Sequence, residues 1–369
     1  MKQETPAALA FLDARIAEAR AQALFRERPP AADPVAISLC SNDYLGLASH
    51  PAPQAASGAG ASRLVSGDRP VHARLEAAAA ELVGQSAALV FSSGYAANTG
   101  TLSALAGPGD VIVSDALNHA SIIDGARLSR ARVEVVPHLG LPEIARALEQ
   151  PRTGRAFVVT ESYFSMDADS PDLAELRRLC DRHAAVLVVD EAHALGILGP
   201  EGRGLCVAHE IRADVLVGTF GKAFGAGGAF VAGCPALTTW LWNRARSFVF
   251  STGLSPSVAM AALHGLETAR LEPERRERVL ATATLLRGGL TRLGLKTLGA
   301  GPIVPWLVGD AGEAMRVANA LRERGLDVRA IRPPSVPDGT ARLRLTVTAA
   351  HRPPDIERAL EAIASVLEL

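Results

Sequence analysis

The chain has 369 residues, of which 48% are hydrophobic and 21% charged, and its formal net charge is -1. That composition excludes wholesale disorder, and the length suffices for one large domain and a smaller one. The near-balanced charge argues against an extended basic surface for nucleic acid or for an anionic membrane.

Met1 to Arg28 mixes charges with apolar residues throughout and lacks the apolar centre of a secretory signal. No apolar run reaches the length of a membrane span. The stretch Ala7 to Arg26 predicts a helix, stopped by Pro29-Pro30. Val35 to Leu39 reads as a short strand, followed by the turn Ser41-Asn42-Asp43-Tyr44-Leu45-Gly46-Leu47. Pro51 to Gly67, rich in Ala, Ser and Gly, reads as a flexible or substrate-facing loop. Val71 to Val83 predicts a helix ending at Gly84.

Strand and helix patterns then alternate. Strands are expected at Ala88–Phe91, Val111–Val113, Val133–Val136, Phe157–Val159, Val186–Val189 and Val215–Val217. Helices are expected from about Tyr95, through Ser121 to Leu128, on the Leu141, Ile144 and Leu148 face, and on the Leu173, Leu176 and Leu179 face. This rhythm predicts an α/β fold with an open, mostly parallel central sheet and helices on both faces. Beyond Ser255 come two helices, the second from Pro273 to Leu293. Strands near Ile303-Val304 and Leu343–Leu345, a helix from Ala314 to Arg324 and an amphipathic helix through Ile356, Leu360, Ile363 and Leu367 complete the chain. The expected division is an N-terminal helix, 1–35, packing with a small domain; a large domain, 36–254; and connecting helices with a small α+β domain, 255–369.

The four cysteines, Cys40, Cys180, Cys206 and Cys234, include no CxxC pair, so no zinc site or disulfide framework is indicated. They read as reduced, as in a cytoplasmic protein.

The chemistry concentrates at predicted strand ends, where parallel sheets bind ligands. Lys222 sits in Gly218-Thr219-Phe220-Gly221-Lys222-Ala223-Phe224-Gly225, just past a strand. A desolvated lysine there becomes a neutral amine able to join an aldehyde cofactor, pyridoxal 5′-phosphate (PLP); the alternative is an ordinary turn lysine. Asp190 follows a buried strand and can pair with a pyridine nitrogen or cap a turn, with His193 three residues on. Ser92-Ser93-Gly94-Tyr95 opens a helix whose N–H groups suit a phosphate, and Thr219 can add a hydroxyl. His119 can stack on a cofactor ring or serve as a structural donor. Ser165 can bond a phenolic oxygen or be a plain turn serine. Arg332 precedes two rigid prolines and can fork onto a carboxylate. Arg342 and Arg344 alternate with Leu343 and Leu345, so they share a strand face, which reads as solvated. Asp190-Glu191-Ala192-His193 also spells a helicase acidic box, but no phosphate loop precedes it.

Taken together, SNDYLGLA from Ser41, FSSGYAAN from Phe91, NHAS from Asn118, FSMD from Phe164, DEAH from Asp190, TFGKAFG from Thr219 and IRPPSVPDGTARLRLT from Ile331 resemble the α-oxoamine synthases, PLP enzymes of fold type I. The resemblance spans nearly the whole chain. It implies PLP as cofactor, with Lys222, Asp190 and His119 catalytic. It implies Gly94, Tyr95 and Thr219 at the phosphate, His193 and Ser165 at the ring oxygen, and Arg332, Ser335, His119 and Arg26 toward substrate. Within the family the motifs are most similar to the member that condenses L-alanine with a pimeloyl thioester, carried by CoA or a carrier protein; other members use glycine or longer acyl chains. A cytoplasmic homodimer without nucleic-acid or membrane partners is implied. The loop Pro51 to Ala61 is shorter than the family's pattern, which bears on acyl-chain choice.

Overall fold

The computed structural model describes residues 6–21, 25 and 37–367. Its strands are β1 (Ile37–Ser38), β2 (Ala87–Phe91), β3 (Val111–Asp115), β4 (Arg132–Val136), β5 (Ala156–Glu161) and β6 (Val186–Asp190). They continue as β7 (Val215–Thr219), β8 (Ala229–Gly233), β9 (Ile303–Gly309), β10 (Leu326–Asp327), β11 (Arg329–Ile331) and β12 (Ala341–Thr346). The helices begin with α1 (Phe11–Ala21), α2 (Pro70–Leu82), α3 (Gly94–Leu105), α4 (Ala120–Ser129), α5 (Leu141–Glu149), α6 (Leu173–Arg182) and α7 (Leu205–Ala208). After them come α8 (Pro235–Arg244), α9 (Arg246–Val249), α10 (Pro256–Leu271), α11 (Pro273–Arg292), α12 (Ala311–Glu323) and α13 (Pro353–Leu367).

Seven strands form the central sheet in the order β2-β8-β7-β6-β5-β3-β4. All its pairings are parallel except those of β8, which runs antiparallel to β2 and β7. The fold is therefore α/β with a mostly parallel sheet. The middle strands are buried on both faces and read as unbroken apolar runs. Ile112, Val188 and Val217 pack with Leu102 of α3 and Ile122 of α4 on one face. Val113, Leu187, Val189 and Leu216 pack on the other, with Leu75 of α2 and Leu176 of α6. Short polar caps set the helix starts: Asp172 accepts from the Glu175 N–H at 2.9 Å, and Ser93 from the Ala96 N–H at 3.1 Å.

The C-terminal part carries an antiparallel sheet, β11-β12-β9, with α11 and α12 against it and α13 packed on those two helices. β1 pairs in parallel with β10, so residues 37–39 hydrogen-bond to this layer; the Thr346 N–H also donates to the Leu39 carbonyl at 2.7 Å. α10 packs on α2. No residue of α1 is buried.

The segment from Pro51 to Gly67, expected as a flexible or substrate-facing loop, ends in a helical turn, Arg63–Gly67. Arg63 is buried, bridges Asp68 and Glu76, and lies 5.0 Å from the Trp242 ring centroid. Among the described residues no helix is long and apolar enough to cross a membrane, and no cluster of three or more His, Cys, Asp or Glu is placed to hold a metal.

Candidate active site

The carboxyl ends of β3, β5, β6 and β7 converge on one cleft. β5 and β6 are in register at Glu161 and Asp190, so two acids stand side by side at neighbouring strand ends, both buried. Asp190 is fixed from two sides. The Asn98 amide of α3 donates to its Oδ2 at 2.7 Å, and the Ala192 N–H to its Oδ1 at 2.8 Å. Ser121 in turn accepts from Asn98 at 3.0 Å. Glu161 Oε1 accepts the His119 N–H at 2.8 Å, and the His119 ring meets Ser121 Oγ at 2.8 Å. The stacking candidate and the acid are thus held by one network.

Lys222 follows β7 in a glycine-lined turn and is half-buried. Its amine has no hydrogen-bond partner among the described residues. Burial lowers its pKa, Asp190 and Glu161 oppose that shift, and Arg344 reinforces it. Glu161 moves the other way: burial first, then the Asp190 charge, raise it to about 8 against the pull of Lys222. His119 is open to solvent along one side, yet crowding of its ring holds it below the ordinary imidazole range; Asp190 opposes the shift and Lys222 adds to it. His193 is buried and held well below its usual value by desolvation, then by Lys222, Arg344 and His119. A neutral His193 receives Tyr44, whose hydroxyl lies 2.7 Å from His193 Nδ1.

The remaining predicted residues lie on other turns and helix ends. Gly94 and Tyr95 occupy the first turn of α3; no acceptor for their N–H groups is found among the described bonds, as at any helix start. The Tyr95 ring is exposed and its hydroxyl bonds Asp124. Thr219 Oγ1 accepts the Gly221 N–H at 3.1 Å and donates to the Gly228 carbonyl at 3.0 Å, which shapes the turn before Lys222. Ser165 and Ser335 line one small cavity with Leu117, Phe164, Met166 and Val336. Arg332 is half-buried, and its carbonyl accepts the Ser335 N–H at 3.0 Å. Arg26 lies outside the described residues.

Four residues without an assigned role in the sequence reading stand in the same cleft: Tyr44, Asn98, Glu161 and Arg344. The possible solvated face of Arg342 and Arg344 is excluded, because both are buried. Arg344 donates to the Ser165 carbonyl at 2.6 Å, to Asn42 Oδ1 at 3.0 Å and to Thr346 Oγ1 at 3.0 Å. Arg342 bonds the Met166 carbonyl at 3.1 Å and pairs with Asp167.

Residues 34–363 match the sequence profile of "Aminotransferase class I and II". The chain belongs to this family. It is 50% identical over 343 residues to the 8-amino-7-oxononanoate synthase of Anaeromyxobacter dehalogenans, covering 90% of this chain and 86% of that one. Its fold matches a serine palmitoyltransferase from S. paucimobilis, solved with PLP and myriocin bound, at a TM-score of 0.90 and 29% identity over 99% of both chains. It also matches the 8-amino-7-oxononanoate synthase of Francisella tularensis at a TM-score of 0.78 and 28% identity, over 91% of this chain and 99% of that one. Like other members of this family, the chain is a PLP-dependent enzyme, and its cleft fits that group on its own chemistry. A desolvated amine without a hydrogen-bond partner faces a carboxylate locked by two donors, and the open end of α3 lies on the same side of the sheet.

Proposed function

We propose that the chain condenses L-alanine with a pimeloyl thioester, on CoA or on a carrier protein, and releases CO2 and the free thiol to give 8-amino-7-oxononanoate. The observation that carries this is a desolvated Lys222 amine, without a hydrogen-bond partner among the described residues, within the electrostatic reach of the fixed Asp190 carboxylate, in a chain half identical to enzymes of that name.

When bound, PLP supplies an electron sink for charge developing at Cα of the amino acid. The rest falls to the protein. Lys222 would hold the cofactor aldehyde and would be the group that moves the proton at Cα. Its burial keeps the amine neutral enough to act as base. Asp190 would face the pyridine nitrogen and keep a proton on it. His119 would cover the ring. His193, oriented by Tyr44, and Ser165 would take the ring-oxygen side. The Gly94 and Tyr95 N–H groups and the Thr219 hydroxyl would take the phosphate. Arg332 and Ser335 face the substrate carboxylate, and Arg26 the acyl donor. Arg344, a buried cation bearing on Lys222, adds positive potential for the amino-acid carboxylate.

The reading includes a cytoplasmic homodimer, and sedimentation at twice the chain mass is the expected result. The functional test adds PLP to purified protein: a visible absorption band is expected, and borohydride is expected to fix the label on Lys222. Supplying alanine or glycine with a series of acyl thioesters should then yield product from alanine and pimeloyl thioester. A protein colourless with PLP overturns the site; product from glycine alone overturns the substrate.

A further inference from the structure

We propose that His138, which no motif of the cofactor site includes, is a positioning residue that ties the turn carrying His119 to the turn carrying Ser165. The proposal rests on the PLP reading of the cleft and adds a residue to it.

His138 follows β4, outside the strand ends that form the cleft. Its Nδ1 lies 2.9 and 3.1 Å from the two carboxylate oxygens of Asp115, at the end of β3. Its Nε2 lies 3.3 and 3.1 Å from those of Asp169, in the loop after β5. Each acid organises one turn. Asp115 Oδ1 accepts the Leu117 N–H at 2.8 Å, and its backbone carbonyl accepts the Asn118 N–H at 3.2 Å, which sets the approach to His119. The Asp169 carbonyl accepts the Phe164 N–H at 2.9 Å, closing the loop that presents Ser165. The His138 ring also packs edge-on against Phe164, with centroids 4.5 Å apart.

Both ring nitrogens face carboxylates, so both must donate, and only the imidazolium has two N–H groups. Partial burial alone would lower the pKa of His138; the hydrogen bonds and charges of Asp115 and Asp169 outweigh that and raise it to about 10. The bridge is therefore intact at neutral pH. Asp115 also accepts the Leu117 and Leu139 N–H groups, at 2.8 and 2.9 Å, but removing the ring leaves this largely buried carboxylate without its counter-charge. The two turns then lose their common fixed point. One carries the residue that covers the ring, the other a residue on its ring-oxygen side.

The test uses holoenzyme and two variants, His138→Asn and Asp169→Asn. The second keeps Asp115 and the backbone bonds intact. The expected result is a changed visible circular dichroism band of bound PLP and a several-fold higher Kd for PLP in both, larger in His138→Asn. A fall in kcat of about 10²-fold should accompany them in His138→Asn, the order of effect of a displaced catalytic group. A wild-type band and wild-type Kd in the variants, whatever their melting temperatures, overturn the proposal, because a purely structural histidine would move stability alone. If His138→Asn does not fold, Asp169→Asn decides by the same readouts. A wild-type chain that takes up no PLP overturns the cofactor reading and this inference with it; altered spectra only in the variants leave that reading standing.

Discussion

Glu161 and Asp190 place two carboxyl groups at adjacent strand ends in little solvent, and both cannot be ionised at low cost. A glutamate with the ordinary value of 4.5 ionises in the unfolded chain well before Glu161 does in the fold, at about 8. Between those values the folded state binds more protons than the unfolded state, so this group makes stability fall as pH rises. Lys222, lowered from 10.5, works in the opposite sense over a window that ends near that value. Glu161→Gln keeps an oxygen for the His119 N–H and removes the titration. In protein without PLP, its denaturation midpoint relative to wild type should rise steadily between about pH 5 and pH 8; a difference independent of pH would contradict the assignment. Asp190 tests the other acid. Asp190→Asn keeps the size and loses the charge that the proposed function sets against the pyridine nitrogen, so kcat should fall by about 10²-fold or more, as when one preorganised electrostatic group is removed. Absorbance should show PLP still bound through Lys222.

At the scale of elements, the turn after β7 is moulded onto the turn after β1. Gly225 has φ +63°, and a Cβ there would meet the Leu47 carbonyl carbon at 2.3 Å and the Ala48 nitrogen at 2.4 Å. Gly225→Ala must both strain its backbone and push the turns apart, at a cost of roughly 1–3 kcal/mol from the backbone alone. Urea unfolding should register that loss together with weaker PLP binding, because the same turn holds Lys222. The His138 bridge has its own pH signature. Its pKa is raised, so its contribution is full below the ordinary imidazole value of 6.5 and is lost as pH rises through about 10. The stability gap between wild type and His138→Asn should close over that range. How far such elements could be read from sequence follows from their neighbours. β3, β5, β6 and β7 announced themselves as apolar runs because both faces are covered. β8, Ala-Phe-Val-Ala-Gly after a glycine-rich turn, had too little side chain to stand out, and β10 and β11 span only two and three residues. The alternation at Arg342 and Arg344 resembled a wet strand face, yet all six residues of β12 are buried, so period two said nothing about exposure. Lys222 and Asp190 stood out as candidates from their turns. Asn98, Tyr44 and His138 were not, since each acquires its role from a partner 92, 149 and 31 residues away.

Across the whole molecule, the cleft is also the seam between the central sheet and the C-terminal layer. Arg344 on β12 reaches the Ser165 carbonyl beyond β5 and Asn42 beyond β1, while the Ala349 N–H donates to the Tyr44 carbonyl at 2.7 Å. Tyr44 in turn holds His193. A ligand that engages Lys222, Asp190 and His193 therefore binds a surface that exists only when both layers are docked. PLP should stabilise the entire chain and not one part of it: at about 100 times its Kd the gain is roughly 2.7 kcal/mol by mass action, more where the link is covalent. Thermal unfolding should show one transition that moves upward as a unit with added PLP. Arg344→Met removes the guanidinium and leaves the half-buried Ser165 carbonyl and Asn42 oxygen without this donor, a loss of up to about 1 kcal/mol for each bond. In that variant the transition should start lower, and it should split or broaden as the two layers separate. Saturating PLP should recover less of the gap than it adds to wild type, because the second half of its binding surface is no longer held in place. A variant with an unsplit transition and the full wild-type response to PLP would show that the seam is held elsewhere.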